Sequence, residues 1–179
     1  MEDDWNFVIC EKDISLFQNE NNYKILFSIK NVENTYNSII EIVKENDLFE
    51  LLFELNKDII ESFNLKSLDE THYVNIKVIN KNCDYFDCEN FVMHINYANK
   101  IEEGKGLIYS VPFINNNNNL EKNEIYLSNF SVEINDDRDA VSFIIKYSFD
   151  KELFDSNLIN TSISMYILKI WYRLKLYFE

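Results

Sequence analysis

The sequence predicts an α+β fold, an antiparallel β-sheet of about seven to eight strands packed on or around a helical pair that is inserted after an N-terminal hairpin. Two observations carry this expectation. Apolar residues alternate with a period of two near the N-terminus and again after His72, whereas between Thr35 and Phe63 they recur every three or four residues. No Pro/Gly-rich linker, composition break or internal repeat divides the 179 residues, so a single domain over 1–179 is the simplest organisation. Hydrophobic residues make up 46% of the chain, enough to build a core despite 27% of charged residues.

The first elements are the alternating stretches Trp5-Phe7-Ile9 and Tyr23-Ile25-Phe27-Ile29, which the pattern pairs as an antiparallel hairpin. In the helical region Tyr36, Ile39, Ile40 and Val43 are followed by Leu48, Leu51, Leu52, Leu55, Ile59 and Phe63, with Asn46-Asp47 interrupting. Asp47 and Glu50 stand at the spacing of a capping box, so two consecutive helices or one bent helix are expected. Alternation then returns in Val74-Ile76-Val78, Phe91-Met93-Ile95-Tyr97, Leu107-Tyr109-Val111-Phe113, Phe130-Val132-Ile134 and Val141-Phe143-Ile145-Tyr147-Phe149. Their connectors hold turn formers, including Gly104 and Gly106, the only two glycines, and the run Asn115 to Asn119. From Ile163 to Glu179 the even positions Tyr166, Leu168, Ile170, Tyr172, Leu174, Leu176 and Phe178 favour a strand over a helix, on their β-branched and aromatic content.

This order of elements is similar to the helix-grip architecture of lipid- and hormone-binding domains, the more so if the last segment is helical. The resemblance is one of order alone, with no motif residues, and it implies an enclosed pocket for a small apolar ligand.

Composition excludes several activities. Two glycines cannot write a P-loop or a dinucleotide fingerprint, both of which need close backbone approach to phosphate. A net charge of −14 leaves no global basic surface for direct nucleic-acid binding. The scarcity of Gly, Pro, Arg and Ala beside abundant Asn, Ile, Lys, Phe and Tyr reflects AT-rich codons. The acidic start has no signal-like apolar segment, no stretch reaches membrane-spanning length, and three cysteines fit a reduced compartment, so a cytoplasmic protein without membrane contact is expected. Cys83 and Cys88 with His72 and His94 complete no zinc pattern, and Asp136-Asp137-Arg138-Asp139 lacks the spacing of a calcium loop. A Cys88–His94 pair has no catalytic signature around it. No metal, cofactor or catalytic residue is therefore assigned.

The charge distribution is the most distinctive feature. Residues 1–71 carry a net −10, residues 72–162 a net −6, and residues 163–179 a net +2. Glu50, Glu54, Asp58 and Glu61 form a like-charge ladder that costs about 0.2–0.5 kcal/mol per pair on a helix. Trp171, Arg173, Lys175 and Tyr177 align as an aromatic and basic face if the last segment is a strand. These two surfaces point to a non-catalytic acidic protein that binds and inhibits a basic partner, such as a nucleic-acid-binding protein, in the manner of inhibitors, toxin-immunity or phage anti-defence proteins that mimic nucleic acid. Their opposite signs also permit a homo-oligomer. The alternative is the helix-grip domain with an apolar ligand.

Overall fold

A computed structural model of the chain describes residues 4–32, 34–79, 90–112, 123–149 and 157–179. Three strands, β1 (Asn6–Glu11), β2 (Ile14–Asn19) and β3 (Asn22–Lys30), precede two helices, α1 (Thr35–Lys44) and α2 (Leu48–Leu55). Six more strands follow: β4 (Ile60–Leu68), β5 (Thr71–Ile79), β6 (Asn90–Glu102), β7 (Lys105–Ser110), β8 (Glu124–Asp136) and β9 (Ala140–Phe149). A long helix, α3 (Asn157–Phe178), ends the described chain. Cys83, Cys88 and the Asn115–Asn119 run lie outside the described residues.

All nine strands join one sheet in the order β1-β2-β3-β9-β8-β7-β6-β5-β4, which sets the first hairpins beside the last strand. The junction is the antiparallel ladder from Asn22↔Ser148 to Lys30↔Ala140. Strand β7 is short, and beyond its end β8 pairs directly with β6 in parallel, Val92↔Glu124 to His94↔Tyr126. Tight hairpins are made almost without glycine. Lys12, Asp13, Glu20, Asp69 and Arg138 take left-handed φ values at hairpin turns, a conformation costing roughly 1–2 kcal/mol per L-residue. Gly104, at φ 71, is the one described glycine to use its freedom there. Gly106 serves differently: a Cβ on it would fall 2.6 Å from Ile40 Cδ1, so its absence lets α1 lie close over the sheet.

The inner face of the sheet follows from period two. Ile25, Phe27, Val74, Ile76, Met93, Ile95, Val132, Ile134, Phe143 and Ile145 are all buried, and the helices cover them. Tyr36, Ile39, Ile40 and Val43 give α1 its buried side, as their spacing predicts, and α1 packs against β6. Asn56 closes α2, its Nδ2 donating to Leu52 O at 2.8 Å and its carbonyl accepting from Ile59 and Ile60 N. Helix α3 packs against α2, β2 and β3.

Three expectations need correction. The N-terminal stretches do not pair with each other, because β2 lies between them: Ile14 and Leu16 point inward, while Phe17 on the outer face blurs the alternation. The helical region stops at Leu55, and Phe63 belongs to β4. The step Leu55, Ile59, Phe63 imitates a helical period across a turn. The segment Ile163 to Glu179 is helical to Phe178 rather than a strand. Its buried positions, Ile163, Ser164, Ile167, Leu168, Ile170, Trp171, Leu174 and Lys175, step by helical turns, but burial on more than one side puts apolar residues at the even positions from Tyr166 on too. Among the described residues no helix is long and apolar enough to cross a membrane.

A strand would place Leu174 and Leu176 on one face, whereas the helix separates them: Leu174 is fully buried and Leu176 is 50% exposed. Leu174→Ala is expected to lower the unfolding free energy by about 2–5 kcal/mol in urea titrations, and Leu176→Ala by less than about 0.5 kcal/mol. Equal losses would restore the strand reading.

Candidate functional site

The inner face of the sheet forms one wall and α3 the other, and both are mostly apolar and aromatic. Phe27 stacks on Phe143 with ring centroids 4.6 Å apart, Tyr23 stacks on Tyr147 at 5.5 Å, and Phe149 meets both tyrosines edge-on. Helix α3 runs across this wall. Thr161 Oγ1 meets Gln18 Oε1 of β2 at 3.4 Å, Tyr166 meets Phe91 of β6 at 5.9 Å, and Ile170 O accepts from Asn56 Nδ2 at 3.4 Å.

Within these walls one layer is polar. The Tyr23 and Tyr147 hydroxyls, Asn160 Oδ1 and Ser164 Oγ are buried, and none has a partner of hydrogen-bond geometry among the described residues. Asn160 and Ser164 are four residues apart, so they share one face of α3. That face looks onto the tyrosines, since Ser164 lies beside the Tyr147 hydroxyl and Thr161 beside that of Tyr23. Burial pushes both phenols above their usual range, which keeps them neutral and able to donate. A buried polar group without a partner costs about 1–3 kcal/mol, a cost that rotation of the Tyr147 hydroxyl toward Ser164 and of the Tyr23 hydroxyl toward Thr161 offsets in part. Lys175, on the last turns of α3, is buried and bonded to Glu179.

Both histidines lie in strands and are buried. His72, in β5, points inward, and Ser67 Oγ lies 2.8 Å from its Nδ1. His94, in β6, faces outward but is covered by Tyr73 and Tyr126. The Tyr73 hydroxyl is 2.5 Å from its Nδ1, Glu124 Oε1 is 3.3 Å from its Nε2, and the Tyr126 ring is 4.9 Å away. Burial lowers the pKa of each; at His94 the Glu124 carboxylate opposes the shift without cancelling it. No group of three or more His, Cys, Asp or Glu among the described residues is placed to hold a metal ion.

The residues singled out by charge are distributed otherwise than a ladder on one helix. Glu50 and Glu54 are exposed on α2, Asp58 is in the turn after it, and Glu61 is on β4. Three of the four acids are engaged within the chain: Glu54 with Lys57 at 2.6 Å, Glu61 with Lys77 at 2.9 Å, and Asp58 with Arg173, whose Nη2 donates to Oδ2 at 2.8 Å. Arg173 also donates to Leu55 O at 3.2 Å, so it clasps α3 to the end of α2. Trp171 is buried, Lys175 is bonded to Glu179, and Tyr177 is exposed. Opposite charges do meet here, but within one molecule. The polar layer was missed because Tyr23 and Tyr147 read as ordinary inward residues of strands, and Asn160 and Ser164 have no meaning until the last segment is a helix.

No protein-family model and no curated protein matches the sequence. Solved structures do match the fold. Human StAR-related lipid transfer protein 5 aligns over 97% of this chain and 86% of its own, with a TM-score of 0.65 at 7% identity. The lipid transfer and protein localization domain of human StarD13 aligns over 98% of this chain and 89% of its own, with a TM-score of 0.68 at 9% identity. A StAR-related lipid transfer protein from Xanthomonas axonopodis aligns over 82% of each chain, at 0.53 and 11%. The fold is thus the helix-grip fold of these proteins.

That likeness corrects the expectation of an acidic inhibitor, immunity or anti-defence protein acting on a basic or nucleic-acid-binding partner. The three structures named above are lipid-transfer proteins or domains.

Because the folded protein holds both imidazoles below their usual pKa, the unfolded chain takes up their protons first as the pH falls through about 6.5. Stability is therefore complete above that value and declines below it. Urea midpoints measured between about pH 7.5 and 5.5 are expected to fall with pH, and His94→Gln to flatten the decline. An unchanged slope in that variant would remove His94 from the account.

Proposed function

We propose that this protein is a helix-grip carrier that encloses a small, uncharged, largely apolar ligand between its sheet and α3, and that it acts by binding rather than by catalysis. The polar layer of Tyr23, Tyr147, Asn160 and Ser164 carries the reading. Apolar walls accept a hydrocarbon body, and a hydroxyl, ketone or amide at one end of that body gives the layer the donors and acceptors it needs. An anionic end is disfavoured, because burying a charge beside neutral phenols without a cation costs far more than the hydrogen bonds return. The shared fold with lipid-transfer proteins supports the same reading.

The test is native mass spectrometry of the full chain after incubation with vesicles containing a sterol, a diacylglycerol and a free fatty acid. Retention of one of the two neutral lipids is expected, and none of the fatty acid. The Tyr147→Phe, Ser164→Ala double variant is expected to fold at least as stably, since it loses unsatisfied hydroxyls, yet to hold the lipid roughly 0.5–1.5 kcal/mol less tightly, about two- to tenfold. Wild-type protein that retains no lipid would refute the carrier reading. Equal retention by the variant would refute the role of the polar layer.

A further inference from the structure

At the β2–β3 hairpin, on the face of the sheet opposite the buried polar layer, a cleft of about 260 Å³ is lined among the described residues by Trp5, Asn19, Asn22, Asn129, Lys146 and Ser148. Tyr23 and Tyr147, whose side chains are buried, complete its floor. Apart from Lys146, the side chains that face it are of two kinds, one broad aromatic ring and a row of neutral hydrogen-bonding groups.

Trp5 supplies the ring. It is half-buried, and Lys24 Nζ lies 4.3 Å from its ring centroid, a contact that orients the indole beside the hairpin. The row begins at Asn129, which is exposed and sits at φ 48 in the irregularity of β8 between Ser128 and Ser131. A bulge of this kind re-aims a side chain, and Asn is among the few L-residues that tolerate a left-handed φ. Asn129 Nδ2 donates to Ser148 Oγ at 3.4 Å, Ser148 Oγ donates to Asn22 Oδ1 at 2.6 Å, and Asn22 Nδ2 donates to Asn19 O at 3.2 Å.

These bonds hold the row in place without exhausting it. An amide nitrogen carries two hydrogens and an amide oxygen two lone pairs, so Asn129 and Asn22 each retain a donor and an acceptor side by side. The three asparagines come from three strands, β2, β3 and β8, and approach the cleft from different directions.

We propose that this cleft binds a single pyranose ring, with its C–H face against Trp5 and adjacent hydroxyls on Asn22 and Asn129. A pyranose combines an apolar face with a rim of hydroxyls, each both donor and acceptor, and an amide presents the matching donor–acceptor pair to two neighbouring hydroxyls. An anion uses the N–H groups but meets the amide oxygens as like partial charges. A flat base stacks on Trp5, but its polar edge lies in one plane and does not reach amides on three strands. Lys146, exposed at the rim, is a further donor to a hydroxyl. The cleft's volume suits one ring rather than a chain of them. The same ring is offered by a soluble sugar and by the headgroup of a glycolipid.

Both sources are tested with the full chain. Saturation-transfer NMR titrations use methyl glucopyranoside, methyl galactopyranoside, methyl mannopyranoside and adenosine, and flotation uses phosphatidylcholine vesicles with or without glucosylceramide and galactosylceramide. Saturable binding of at least one glycoside is expected, and none of adenosine. Asn129→Gly removes the amide while accepting the positive φ, so it is expected to keep the urea midpoint of wild type and to bind the glycoside about two- to tenfold more weakly. Asn64→Ala, at an exposed asparagine of β4 outside the cleft, is expected to bind as wild type does. Flotation that needs glycolipid and Asn129, without binding of a free glycoside, would assign the site to a headgroup. Neither glycoside binding nor flotation, equal binding by Asn129→Gly, or adenosine bound as well as the glycosides would overturn the proposal. Retention of a neutral lipid by Asn129→Gly is expected to match wild type, which separates this cleft from the buried polar layer.

Discussion

The ladder between β3 and β9 is the contact on which the remainder of the structure depends. It joins residues as far apart as Asn22 and Ser148, 126 positions along the chain. Closing a loop of that length costs about 4 kcal/mol in chain entropy. The ladder seals Ile25, Phe27, Ile29, Val141, Phe143, Ile145 and Tyr147 from water, and each such side chain contributes about 1.5–3 kcal/mol. Burial therefore wins by a clear margin. The same ladder fixes the Tyr23–Tyr147 stack on one face and the Lys24–Lys146 pair on the other. A slip of one residue would exchange them.

Much of the fold was legible because alternation and helical spacing report burial directly. The strands from Val74 to Phe149 and the buried side of α1 were read from their patterns for that reason, except that β7 buries Ile108 rather than Leu107 and Tyr109. Where burial is two-sided, or where a turn keeps the beat of a helix, the pattern stops reporting structure. Helix α3 shows the first failure, with Leu168, Ile170, Trp171 and Leu174 all buried. The step from Leu55 through Ile59 to Phe63 shows the second, since Asn56 ends α2 between them. Strand β2 shows a third: Phe17 lies on the outer face against Phe7, 5.8 Å away, and an aromatic pair there breaks the contrast on which alternation depends.

The sites were less legible, for a different reason. Charge is visible in a sequence, but its partners are not. Asp58 and Arg173 are separated by 115 positions and looked like halves of two surfaces, whereas they form one clasp between α2 and α3. The polar layer is assembled from β3, β9 and α3, and no local spacing links Tyr23 to Tyr147 or to Ser164. Lys24 and Lys146 are likewise unremarkable until the register sets them opposite each other. What could have been noticed is that Tyr, rather than Phe, stands at both inward positions 23 and 147, where a hydroxyl has to be accommodated.

The acidity of the chain also takes a more specific meaning. Uniform negative charge would weaken any anion site by long-range repulsion, and at physiological ionic strength such repulsion fades over roughly 8 Å. Acids of this chain meet cations within it instead, as in Glu54–Lys57, Glu61–Lys77 and Asp58–Arg173. The buried polar layer is the converse case: burial keeps the Tyr23 and Tyr147 phenols neutral. The alternation of side chains along β3 and β9 sets that neutral layer on one face and the charged residues Lys24 and Lys146 on the other.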